Sequence, residues 1–250
     1  MITQDTTSLF ECGPRKTRVS IIVPLYNYER AIIAALRSAA AQTFRDLALI
    51  VVDDCSKDSS RDVVQRWMEQ NADCGLGLVL RQNVQNARLA VTRNTGLALA
   101  QSEFCFFLDA DNQLYPRCIE KHVAALDAYP AAAAAYGMIE VFEARADVIG
   151  TNVFSRQRLK HGNYIDAMAM IRTKALLGLE GYHDIRYGWE DYDLWLRLCE
   201  AEGYAVQLPE ILSRYREHGQ SMLRTETNIS NNIRELKENM TRRHSWLDLH

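Results

Sequence analysis

Two carboxylates one residue apart, Asp109 and Asp111, stand directly behind an apolar run, Phe104–Leu108. Aspartates at i and i+2 after a buried strand can hold a divalent cation through oxygen, with water and phosphate oxygens completing its shell. A cation held there could bridge a diphosphate leaving group. The same triplet also suits a solvated turn with a capping acid, since Pro116 opens a helical segment shortly afterwards. A second acidic pair, Asp53-Asp54, follows the apolar run Leu47–Val52. Adjacent carboxylates repel and one helix start needs one cap, so hydrogen bonding to a nucleobase or ribose stands beside the turn reading. A third polar cluster, Pro24-Leu25-Tyr26-Asn27-Tyr28-Glu29, closes a run that begins at Val19.

Such groups meet only if the runs before them are neighbouring strands pointing the same way. Val19–Pro24, Leu47–Val52, Leu76–Leu80 and Phe104–Leu108 are continuous apolar runs, as expected of strands buried on both faces. Arg30–Ala41, Ser59–Glu69 and Ala87–Ala100 lie between them with helical period, and Pro116–Ala128 carries proline in its first turn. The alternation predicts an α/β fold, a mostly parallel central sheet flanked by helices, whose ligands bind beyond the carboxyl ends of the strands. From Ala131 the pattern weakens to one strand, Ala134–Phe142, and then polar text to Gly162 that predicts a substrate-facing loop. Order returns over Tyr164–Leu177 and Asp191–Glu202, where Leu194, Trp195, Leu198 and Cys199 form a stripe at helical spacing. Ile229–Met240 predicts a solvated C-terminal helix. The Arg242-Arg243-His244-Ser245-Trp246 text after it offers a contact for a membrane surface or for a second copy in a homodimer.

Composition narrows the partners. The chain has 250 residues, 29 basic and 32 acidic, for a net charge of −3. No bulk positive field exists to hold nucleic acid, so an anionic ligand must be met locally. The longest charge-free stretch, Ala128–Ile139, falls well below the roughly 20 residues that span a bilayer, so no transmembrane segment is expected. Residues 1–18 read as an N-terminal extension without the apolar core of a signal peptide. The expectation is a cytoplasmic chain, with peripheral contact to the cytoplasmic membrane face left open. Six cysteines at irregular spacings read as free thiols. Pro24-Leu25-Tyr26-Asn27 contains no glycine, against a sugar nucleotidylyltransferase or a dinucleotide oxidoreductase.

Taken in order, Val19-Ser-Ile-Ile-Val-Pro24-Leu-Tyr26-Asn27, Asp53-Asp54-Cys-Ser56, Arg93-Asn94-Thr-Gly96, Asp109-Ala110-Asp111, Trp189-Glu190-Asp191 and Tyr215-Arg216-Glu-His218-Gly-Gln-Ser221 closely resemble glycosyltransferase family 2. The resemblance implies a GT-A fold over 19–221, with a nucleotide-binding half, 19–115, an acceptor half, 116–221, and a helical tail, 222–250. It implies inverting transfer of a sugar from a nucleotide-sugar, with UDP the favoured nucleotide, to a saccharide or lipid-linked glycan acceptor, assisted by Mn²⁺ or Mg²⁺; Gln65-Arg66-Trp67 lacks the spacing of a processive synthase's Gln-x-x-Arg-Trp, so non-processive transfer is expected. Pro24, Tyr26, Asn27 and Glu29 would line the nucleotide pocket, Asp53 and Asp54 would meet base or ribose, and Arg93 would approach the donor phosphates. Asp109 and Ala110 would face the donor, and Asp111 would be the principal metal ligand with Asp109 beside it. His218 would complete that site, or be a satisfied loop histidine.

Asp191 is expected to be the general base. Single displacement needs a carboxylate opposite the departing diphosphate that takes the acceptor hydroxyl proton, although acids at a helix start also favourably meet the dipole. Glu190 would orient the acceptor or bond to backbone. Trp189 would face a sugar or belong to the core, where Tyr182 is also expected. One departure is the text Asn86-Ala87-Arg88, where the family commonly has glycines. Arg88 there is either an added phosphate contact or the mark of a reshaped loop. A catalytically silent carbohydrate-binding subunit of the same fold is the rival reading, and the joint presence of Asp109, Asp111 and Asp191 counts against it.

Overall fold

A computed structural model describes residues 1–219 and 223–249; Gln220 and Ser221, which close the Arg-x-His-x-x-Ser element, lie outside the described residues. The sheet is built around β2 (Val19–Leu25), β3 (Leu47–Asp53), β4 (Gly77–Asn83) and β5 (Phe104–Phe107). Neither β2 nor β3 exposes a single residue, which is why both read as unbroken apolar text. Successive side chains of a strand point to opposite faces. Thus Ile21 joins a core layer with α1 (Ile32–Ala40), α2 (Ser60–Gln70) and α4 (Cys118–Ala128), while Ile22 joins another layer with α3 (Arg88–Leu99). Gly96 is what lets α3 lie on β2, since a Cβ there would stand 2.4 Å from Ile22 Cγ2.

The remaining strands are β1 (Thr6–Cys12), β6 (Gln113–Leu114), β7 (Ala134–Glu143), β8 (Asp147–Ile149), β9 (Ala169–Arg172) and β10 (Ala205–Glu217). The order is β1-β4-β3-β2-β5-β9-β7-β10-β6, with β8 on β7. Strands β2, β3, β4, β5, β7 and β10 run one way, the others against them, so the sheet is mostly parallel. Six carboxyl ends therefore face one edge.

The outline differs from the sequence expectation in four places. Within the stretch expected as an extension, β1 pairs antiparallel with β4 and half-buries Leu9, Phe10 and Cys12 against the core. Strand β10 was hidden by Pro209 and Glu210 and by two register shifts, the places where a sheet tolerates proline. Tyr164–Leu177 is not one unit but a loop, then β9, then the short helix α6 (Thr173–Gly178). The C-terminal helix, α8 (Ser230–Arg243), is docked rather than solvated: Leu236, Met240 and the following His244 are buried. All six cysteines are free thiols, and no helix among the described residues is long and apolar enough to cross a membrane.

Candidate active site

The strand ends open onto a cleft of about 670 Å³ whose walls include Pro24, Tyr26, Asn27, Tyr28, Asp54, Arg88, Asp109, Ala110, Asp111, Glu190, Tyr215 and His218. Its nucleotide end is held by a lattice of loop contacts. Asn27 adopts a left-handed φ of 59° and accepts from Lys57 N at 2.7 Å through Oδ1, while Ser56 Oγ accepts from Asn27 N. Asparagine tolerates that conformation better than most side chains. Glu29 accepts from Ser59 N and lies outside the cleft lining, so it ties the loop after β2 to the loop after β3.

The adjacent acids of β3 divide their work, which resolves the repulsion expected between them. Asp53 is fully buried and accepts from Ser56 N and Gln82 Nε2. Asp54 accepts from Asn83 Nδ2, Ala87 N and Arg88 N at 2.7, 2.8 and 3.0 Å. Its charge thus caps the start of α3 from another element, where free amides and the helix dipole favour an anion. At the departure, Arg88 takes a φ of 71°, lines the cleft and pairs its guanidinium with Asp184.

Asp109-Ala110-Asp111 leads from β5 into β6. Asn112 is completely buried and its Oδ1 accepts from Arg216 N at 2.9 Å, while Tyr115 N donates to Leu212 O. This pins the acidic turn to β10. Because β10 runs parallel to β7 and ends at Glu217, the next residue emerges at the same sheet edge, and His218 Nε2 lies 3.0 Å from Asp111 Oδ2. Burial and the charge of Asp109 push the Asp111 carboxyl up, against the opposing pull of His218. Tyr28 stands over this pair with its ring edge-on to His218 at 6.3 Å; burial and the charges of Asp111 and Asp109 raise its hydroxyl.

Arg93 is placed inside the wall. It is 2% exposed, donates to Asp109 Oδ1 at 2.7 Å and Glu190 Oε1 at 2.5 Å, and lies 5.2 Å from the Tyr182 ring centroid. Its role in the structure is to couple the β5 turn to the start of α7 (Glu190–Glu200). Tyr182 is core, as the sequence indicated.

Tyr187, Gly188 and Trp189 all have positive φ, at 72°, 109° and 69°. Left-handed non-glycine residues cost of order 1–3 kcal/mol each and persist where the surroundings impose them. The run aims Glu190 and Asp191 from the first turn of α7. Trp189 is half-buried, edge-on to Tyr192 at 5.9 Å, and does not line the cleft. Asp191 accepts from Tyr192 N at 2.7 Å and from Asn163 Nδ2 at 3.1 Å. Burial, Glu190 and Asp166 push its carboxyl far above the usual range, with Arg93 opposing. Asp166 was invisible in the sequence because nothing marks it in a polar loop. Burial and Asp109 raise its carboxyl to about 6, and Asp111 and Arg93 also act on it, so it links the two acidic ends of the site electrostatically.

Residues 20–178 match the family described as Glycosyl transferase family 2. WfgD of Escherichia coli, a UDP-Glc:alpha-D-GlcNAc-diphosphoundecaprenol beta-1,3-glucosyltransferase, is 27% identical over 223 residues, covering 88% of this chain and 82% of that protein. Among solved structures, S. aureus TarS 1-349 in complex with UDP-GlcNAc superposes with a TM-score of 0.73 at 18% identity, over 90% of this chain and 66% of that one. The mannosyltransferase PcManGT from Pyrobaculum calidifontis, in complex with GDP-Man and Mn²⁺, gives 0.64 at 22% identity, over 86% of this chain and 61% of that one. The chain thus spans about two thirds or less of these two solved chains. Family match and fold together define a glycosyltransferase with the GT-A architecture. The chain belongs to glycosyl transferase family 2.

Proposed function

We propose that the protein transfers a sugar from a UDP-sugar to a hydroxyl of a lipid-linked glycan by a single, inverting displacement. The observation that supports this reading is one cleft lined by Asp111, His218 and Glu190, with Asp191 next to Glu190 in the chain and behind that lining. Sugar and acceptor would meet between them. The lipid-linked acceptor is supported by the activity named for WfgD, the uridine donor by that activity and by the UDP-GlcNAc bound to TarS, and contact with a membrane face follows from such an acceptor.

Asp109, Asp111 and His218 fit a divalent cation. Their donor set of carboxylate oxygen and imidazole nitrogen suits Mn²⁺ or Mg²⁺, and the buried Asp111 carboxyl beside Asp109 has an unfavourable charge that a cation would offset. Among the described residues no group of three His, Cys, Asp or Glu side chains is placed to hold a metal ion, so a cation here would need substrate phosphates and water to complete its shell. When bound, the cation would supply charge neutralisation for the departing diphosphate. Asp191 would accept the acceptor proton on a carboxylate oxygen as the new bond forms. Tyr26 and Asn27 would bound the nucleotide, with Asp54 shaping that pocket through the α3 start. Arg93 would keep Asp109 and Glu190 in register, and Glu190 would border the acceptor, with Trp189 behind it.

Thermal unfolding with nucleotide-sugars tests the donor assignment. At a hundredfold excess over Kd a ligand stabilises by about 2.7 kcal/mol, which for a chain of this size is a rise in Tm of roughly 5–10 °C. UDP-sugars with Mn²⁺ are expected to give that rise, GDP-sugars less, and Asp111→Ala or chelator to remove it. Equal stabilisation in chelator would overturn the metal assignment.

A further inference from the structure

We infer that the segment 153–161 is a docking surface for an anionic lipid bilayer, placed so that the membrane lies beside the proton acceptor. This rests on the lipid-linked acceptor proposed above. The segment contains Arg156, Arg158, Lys160 and His161 and no acid. Arg156, Arg158 and His161 are exposed, and Val153 is 67% exposed in front of them. No carboxylate among the described residues pairs with Arg156 or Arg158, whereas Lys160 and His161 share Asp248 at 3.7 and 3.8 Å. Arg156 lies 4.5 Å from the Trp246 ring centroid, so an aromatic face backs the cationic one. Since the whole chain carries −3, attraction to an anionic surface must come from such a local cluster.

The patch is rigidly tied to the site. Leu159 is buried and its carbonyl accepts from the Tyr192 hydroxyl; Trp195 Nε1 donates to Ile165 O at 3.0 Å. Asn163, two residues beyond His161, donates to Asp191. Both partners on α7 lie within one turn or so of Asp191, and a glycan held at the bilayer by its lipid would arrive from that side. In the tail expected to make this contact, Arg243 pairs with Asp193 and Trp246 Nε1 donates to Glu200.

The test uses the full chain with vesicles of phosphatidylcholine alone or with one third phosphatidylglycerol. Wild type should partition onto the anionic vesicles, less so as salt rises. The double variant Arg156→Gln, Arg158→Gln should bind about thirtyfold more weakly, two basic residues being worth about 1 kcal/mol each at such a surface. Arg37→Gln with Arg66→Gln, the same charge change on α1 and α2, should bind like wild type. With acceptor embedded in anionic vesicles the Arg156/Arg158 variant should lose transfer in proportion, and with a water-soluble short-chain prenyl diphosphate acceptor it should match wild type. Equal partition of wild type on both vesicle types overturns the inference. An equal loss on the soluble acceptor also overturns it, because the arginines would then hold the acceptor's own diphosphate. No transfer by wild type to any lipid-linked acceptor, with anionic vesicle binding intact, would instead refute the proposed acceptor class.

Discussion

Asp191→Asn will lower transfer by on the order of a hundredfold to ten-thousandfold, the span expected for loss of a positioned general base, and will leave donor binding close to wild type. The substitution keeps the size of the side chain at the start of α7 and removes only its capacity to take a proton. Donor binding should survive because Asp191 lies outside the lining of the nucleotide cleft. The pH profile gives an independent reading. Burial, Glu190 and Asp166 raise the Asp191 carboxyl, and a base acts only when deprotonated, so kcat/KM should climb with pH through a value above the ordinary carboxylate range and then level off. That rise should vanish in the variant. Initial rates across pH, with donor Kd measured alongside, decide the matter. Unchanged turnover would move the base elsewhere, and a matching loss of donor affinity would make Asp191 a structural residue.

Asp193→Asn will destabilise the fold by about 3–5 kcal/mol, the range for removing one member of a buried ion cluster. Asp193 is fully buried and accepts from Arg197 Nε and Arg243 Nε, both at 2.7 Å, with His244 Nε2 at 3.1 Å and His183 Nδ1 at 3.2 Å. Two of these partners come from the C-terminal tail, so one carboxylate clamps the tail onto α7. Burial alone would raise its carboxyl, but His244, Arg197 and Arg243 outweigh that and hold it well below the usual range. Its contribution is therefore complete above the unfolded value near ~4 and is lost as pH falls below it. His244 works in the opposite sense. Burial pulls its imidazole down, yet Asp193 and Glu200 outweigh that and raise it. Its contribution is complete below the unfolded value near ~6.5 and is lost as pH rises through the folded value. Urea unfolding of both proteins across pH should show the deficit together with a smaller alkaline loss in the variant. A difference below about 1 kcal/mol would show that the tail does not depend on this clamp.

The nucleotide half was legible because its strands are buried on both faces and leave continuous apolar text, and because helix periods separate them. Strand β10 was not, since its burial is uneven and a proline interrupts it, although it delivers His218 to Asp111. Of the acids after the strands, Asp54, Asp109 and Asp111 line one cleft, while the bonding of each was not readable. Asp53 and Arg93 bond within the wall and Asp54 lines the cleft while also capping α3, and the sequence cannot say which way a polar side chain faces when its partners lie tens of residues away. Tyr28 sat inside a quoted motif without being singled out. Asp166 had no pattern to betray it, and the Asp193 clamp joins charges about fifty residues apart.

The central claim is a single displacement with Asp191 facing the departing diphosphate. Proton NMR of the first-formed product from an α-linked UDP-sugar tests it most directly, because one backside attack inverts the anomeric carbon. The account predicts a β-linked product from the earliest time point. An α-linked product would contradict it, since configuration is kept only if the sugar leaves by two displacements or from the same face.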